Sequence, residues 1–140
     1  MIMRRNEDTQ SWRYRSEDFR PIDGDLYSAS VPHDRNGSFT LVANAAFDYE
    51  ACTERFFELA ADGDAWVYIN GKLALDMGGM LRGDRQLLEL DRLEDLETGP
   101  DNRLQIFFAH RSEDAAHFEI HTNLHLRTFS SGFSVAPLAD

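Results

Sequence analysis

From Phe39 to Phe47 every second residue is apolar, with Phe39, Leu41, Ala43, Ala45 and Phe47 on one side and Thr40 and Asn44 among those on the other. Alternation with period two predicts a half-buried β-strand. Phe56, Phe57 and Leu59 predict a second strand, followed by Ala60 and Ala61, small enough for backbones to approach closely. Ala65 to Ile69 is continuously apolar and rich in aromatic and β-branched residues, which predicts a short strand covered on both faces. Asn70-Gly71 predicts a two-residue type I′ turn, because both central residues must take positive φ. On the return strand Leu73, Leu75 and Met77 alternate with Lys72, Ala74 and Asp76. Leu87 to Leu93 alternates around Glu89 and Asp91, and Leu104 to Ala109 reads as a heavily apolar strand beside Ala65–Ile69 in the core. Phe118, Ile120, Thr122, Leu124 and Leu126 form one face of a last strand.

Between these stretches lie breaks: the glycine-bearing Gly78-Gly79 to Arg85, the turn cluster Glu97 to Asn102, and a short turn at Ser112 to Ala116. Phe19 to Asn36, with Pro21, Gly24 and Pro32, reads as loop laid over a sheet edge. Residues 1–18 carry no sustained period and read as an N-terminal arm that Trp12 and Tyr14 partly order, residues 19–127 as one domain, and residues 128–140 as a polar tail. Short strands with no helical period predict an all-β fold, an antiparallel β-sandwich or jelly-roll-like barrel.

The 140 residues suffice for one core of ordinary size, and ten phenylalanines supply an aromatic one. With 14 basic and 25 acidic residues the net charge is −11, which repels phosphate backbones and argues against nucleic acid as a partner. MIMRR is followed by the polar run NEDTQS rather than the apolar core of a secretory leader, and no run is long enough for a membrane span. The one cysteine, Cys52, reads as a packing residue.

The hairpin register is expected to bring Asp62 and Asp64 near Asp76, so that three carboxylates gather at one end of a rigid element. Calcium is the fitting ion, because it takes about 6–8 oxygen ligands. Here Asp62, Asp64 and Asp76 are the candidate metal ligands, with carbonyls of Gly78–Gly83 or the carboxylate of Asp84 completing the set. The competing reading makes them solvated turn residues. In HFEIHTNLH, His117, His121 and His125 would share a helical face as in zinc proteases. The alternation of Phe118 to Leu126 favours a strand instead, which spaces successive histidines about 13 Å apart, too far for one ion without a further partner such as His110. Trp66 and Tyr68 read as core or flanking residues, with Trp12 the freer aromatic candidate for a sugar platform.

The acidic lead-in to the Trp66-Val67-Tyr68-Ile69-Asn70-Gly71 hairpin, the Asp76 then Gly78-Gly79 sequence, and the FFA-x-R strand leading to Thr122-Asn123-Leu124 together resemble a fibro-slime domain. That family is related to the protective-antigen-type, lectin-like β-sandwich, and the likeness runs from about Phe39 to Leu126. The resemblance implies an extracellular or cell-surface module in which two adjacent aspartates joined by a cis peptide hold a calcium ion that contacts carbohydrate hydroxyls. Asp62 takes the first of those positions and Gly63 the second, a departure, while Asp64 fills a third acidic place. This chain has Leu81 where the family tends to place a histidine, and His110 where it tends to place a glutamate.

The expectation is a non-catalytic binding module for carbohydrate, such as a cell-surface glycan, assisted by calcium on Asp62, Asp64 and Asp76. Gly79, Asp84, His110 and Arg111 are the candidate ligand contacts. The second reading is a protein-interaction domain of a surface assembly in which calcium only stabilises loops. The third is a zinc-dependent hydrolase on the histidine face.

Overall fold

The strand that organises the chain is β4, Phe56–Ile69, which runs unbroken through the acidic stretch expected to precede it. The computed structural model describes residues 1–21 and 37–137, without the side chains of 80–82 and 128–137. The greater part of the predicted Phe19–Asn36 loop lies outside the described residues.

The remaining strands are β1 (Arg4–Asn6), β2 (Ser11–Ser16), β3 (Ser38–Tyr49), β5 (Lys72–Glu89), β6 (Gly99–Arg111), β7 (Phe118–Thr122) and β8 (Arg127–Pro137). All pairings are antiparallel, in the order β1-β2-β7-β4-β6-β3-β8, and β5 lies along β4. The result is the all-β, antiparallel sandwich-or-barrel class that the alternation predicts, a curled sheet closing as a half-barrel. The stretches read as arm and tail differ from expectation, because β1 and β2 extend the sheet beyond β7 and β8 lines the outer edge of β3. An edge strand with one or both faces in water needs few apolar residues, so its sequence looks like loop.

Along one edge β4 serves two neighbours in turn: Phe57–Ala61 pair with β7, and Asp64–Ile69 pair with β6. Between them Gly63 has φ +112, and a Cβ there would stand 2.6 Å from the Ala109 carbonyl oxygen. Only glycine fits a backbone this close in that conformation. The second acidic position that the fibro-slime resemblance implies is therefore sterically closed in this chain.

From this junction two wings curl toward each other, and Phe19, Phe39, Phe108 and Phe118 fill the space between them. The Phe19 and Phe118 rings stack at 4.9 Å, and Phe19 meets Phe39 edge-on at 5.8 Å. Phe39, Leu41, Ala45 and Phe47 are buried, as their alternation predicts. The hairpin turn also forms as predicted, with Asn70 at φ 50 and Gly71 at φ 81. Two details of the hairpin depart from expectation. Ala65, Val67 and Ile69 are buried, but Trp66 and Tyr68 are only half-buried on the outer face. A register shift opposite Val67 and Tyr68 then turns Leu73 outward, half exposed, while Leu75 and Met77 stay buried.

The break expected after Gly79 is absent, and β5 continues to Glu89 before a 3-10 turn at Leu90–Arg92 replaces the end of the predicted Leu87–Leu93 strand. Asp91 in that turn accepts hydrogen bonds from the Tyr49 hydroxyl at 2.5 Å, the Cys52 N–H at 3.0 Å and the Glu54 N–H at 3.2 Å. It thereby holds a connection in which Cys52 and Glu54 both take positive φ. Cys52 is exposed there rather than packed.

Gly63→Ala is expected to lower stability by roughly 2–4 kcal/mol, from strain at positive φ plus the clash with Ala109. An unchanged urea midpoint would show that the junction tolerates a side chain. Burial, then the hydrogen bond to Asp91, pushes the Tyr49 phenol up to about 12. Because the folded value lies above the unfolded one near 10, this contribution is intact below about pH 10 and is lost as pH rises through about 12. Burial pushes the Tyr14 phenol up as well, so absorbance titration of the phenolates is read at its alkaline end: Tyr49→Phe should remove the component that ionises near pH 12, and an unchanged amplitude there would refute the assignment.

Candidate functional site

The three nominated carboxylates each engage a different part of the backbone. Asp62 sits in mid-strand, and its Oδ1 accepts the Gly83 N–H while Oδ2 accepts the His117 N–H at 3.1 Å. Asp64 is buried, with Oδ1 taking the Gly79 N–H at 2.7 Å and Oδ2 lying 3.3 Å from the Arg111 guanidinium. Asp76 is exposed and accepts the Gly78 N–H at 3.0 Å. Asp84 is exposed, opposite Ala61 in the β4–β5 register.

A calcium ion needs carboxylate oxygens turned toward a common point and free of positive neighbours. Here N–H groups and a guanidinium face those oxygens, and among the described residues no group of three or more His, Cys, Asp and Glu side chains could hold a metal ion. The donor set does not fit calcium. The structure does bring Asp64, expected as a metal ligand, together with Gly79 and Arg111, expected as ligand contacts. His110 has other contacts: it is 4% exposed, its Nδ1 is 2.5 Å from the Gly37 carbonyl, and its ring lies near those of Phe39 and Phe108.

The outer face of β4 and β6 carries Trp66 and Tyr68, expected as core or flanking residues. Trp66 stands opposite Phe107 in register, and the rings of Tyr68 and Phe107 meet edge-on at 5.5 Å. With Thr40, Val42 and Gln105 these rings line an open groove of about 440 Å³. A Cβ on Gly78 would lie 3.3 Å from the indole, so one side of Trp66 rests against the β5 backbone. The Gln105 amide donates to the Asn44 carbonyl oxygen at 2.8 Å, which fixes both amides beside the rings. All residues lining the groove are uncharged among those described. The available signal was the alternation hidden inside the apolar run: Trp66 and Tyr68 share one face, Ala65, Val67 and Ile69 the other.

The histidine face divides into separate contacts. Glu119, 2% exposed, is held by Arg85 at 3.0 Å and Arg13 at 3.4 Å, with the His117 Nε2 at 3.6 Å. The Glu119 hydrogen bond, followed by that to Glu58, raises the Arg85 guanidinium further above its ordinary value. His121 lies 3.4 Å from Glu58 and 3.0 Å from the Ser11 hydroxyl, and His117 lies 3.0 Å from Glu17. His125 packs against Trp12, which itself carries the Arg5 guanidinium over its ring. Trp12 is thus less free than its sequence context suggests.

Proteins of Dictyostelium discoideum are similar to the chain, psiC, psiH and psiR among them. Protein psiC is 30% identical over 120 residues, covering 81% of this chain and 23% of psiC. Protein psiH is 27% identical over 132 residues, 89% of this chain and 18% of psiH. Protein psiR is 31% identical over 99 residues, 71% of this chain and 10% of psiR. The chain therefore spans less than a quarter of the length of each of these relatives. No family model matches it, and no solved structure matches it. Among the described residues no helix is long and apolar enough to cross a membrane.

Arg85→Ala should cost roughly 1–3 kcal/mol, because the buried Glu119 carboxylate keeps only its longer contact with Arg13 and the His117 ring. Urea denaturation at neutral pH measures this, and a loss below a few tenths would mean that Arg13 alone satisfies Glu119.

Proposed function

We propose that the chain is a non-catalytic binding module that takes neutral carbohydrate on the outer face of β4 and β6. The observation that carries this reading is the uncharged groove of Trp66, Tyr68 and Phe107, bordered by the Gln105–Asn44 amide pair. A pyranose has an apolar C–H face suited to an aromatic ring and hydroxyls around its rim suited to fixed amides. An acidic sugar gains no countercharge from this lining, and the net charge of −11 repels it. The fibro-slime resemblance supports the same ligand class and an extracellular or cell-surface setting.

A second reading has its own support. Leu73 is half exposed and stands opposite Tyr68, extending the apolar surface beyond the groove, and Leu87 is similarly exposed farther along β5. In that reading the face docks another chain of a surface assembly.

Calorimetric titration with neutral oligosaccharides selected on a glycan array separates the two. Trp66→Ala is expected to weaken sugar binding at least tenfold, about 1.4 kcal/mol, with the melting temperature little changed. If the wild-type chain binds no neutral glycan but is captured by a surface protein in a Leu73-dependent way, the second reading replaces the first.

A further inference from the structure

The carboxylates that resemble calcium ligands are all employed where β5 carries more residues than β4. Ala61 pairs with Asp84 and Ala65 with Met77, so the β5 segment between those partners bulges out of the regular ladder. Residues in such a bulge leave peptide N–H groups without a strand partner. Asp76, Asp64 and Asp62 accept from Gly78, Gly79 and Gly83 respectively, all within this segment. The second oxygen of Asp62 reaches across to the His117 N–H, and that of Asp64 to Arg111 at the end of β6. Hydrogen bonds to an ionised acceptor are about twice as strong as neutral ones, so each carboxylate is an effective anchor for a peptide group.

We propose that Asp62, Asp64 and Asp76, with Arg111 as a fixed positive charge, form a calcium-independent clamp that fastens the bulged part of β5 to β4 and thereby positions Trp66. The mechanical link is Gly78: its N–H is held by Asp76, its neighbour Gly79 by Asp64, and it lies so near the indole that a Cβ on it would stand 3.3 Å from the Trp66 ring. Asp64, 6% exposed, needs a countercharge, and the guanidinium supplies one without a diffusible ion. A divalent cation would have to compete with N–H groups and Arg111 for the same oxygens. The value of a positioned Trp66 for sugar rests on the carbohydrate reading; the clamp itself does not.

The test uses the full chain carrying Trp12→Phe, which leaves Trp66 as the one indole. Its melting temperature and emission maximum are expected to be the same in chelator and in millimolar calcium. Asp64→Ala should lower the melting temperature by roughly 5–10 °C and shift Trp66 emission to the red. Asp64→Asn, which retains an acceptor for Gly79, should keep the emission maximum of the parent. If Asp64→Ala does not fold, Asp76→Ala carries the emission readout, since its exposed carboxylate holds only the Gly78 turn among the contacts described. Stoichiometric calcium binding with a rise in melting temperature overturns the proposal, as does a folded alanine variant whose emission is unmoved. Neither readout involves sugar, so absence of glycan binding would defeat the carbohydrate reading and leave the clamp standing.

Discussion

The structure depends on one strand having two successive partners on the same edge. Two strands cannot share one stretch of hydrogen-bonding edge, so β4 has to change neighbours along its length, and Gly63 is where β7 gives way to β6. The divergence that follows gives the sheet its curl and leaves an interior for the phenylalanine cluster. It also fixes the directions of the side chains beyond the junction, with Val67 and Ile69 turned inward and Trp66 and Tyr68 outward. Core and aromatic outer face are thus two sides of the same few residues.

Much of this was legible in the chain. Asn70-Gly71 specified the reversal through the positive φ that both residues take, and the apolar Leu104–Ala109 run identified the neighbour of Ala65–Ile69, observed as the Val67–Ile106 pair. The strand face through Phe39, Leu41, Ala45 and Phe47 followed from alternation alone. Other features were hidden for physical reasons. Asp62-Gly63-Asp64 has the composition of a turn, because aspartate and glycine are what a turn demands, yet a strand that changes partners makes the same demand for glycine and for side-chain acceptors. Strands at the two ends of the sheet carry little apolar signal, and so β1 and β8 at its edges, with β2 next to β1, read as arm and tail.

The candidate site was legible in its ingredients and less so in its arrangement. Asp64, Gly79 and Arg111 were singled out and do meet, but as a carboxylate satisfied by a peptide group and a guanidinium. A sequence shows that acids are close along the chain; it does not show which N–H groups lack partners, and that shortage decides what the acids hold. The aromatic face was obscured because an unbroken apolar run is equally the mark of a strand buried on both sides.

The groove over β4 and β6 is open and shallow, bounded by a few rings and amides rather than enclosed by loops. A sugar bound there as proposed would keep much of its hydration, so a single copy would grip weakly and exchange fast. Lasting attachment to a repetitive surface would then come from many copies engaged at once, their spacing and number setting the strength of the bond.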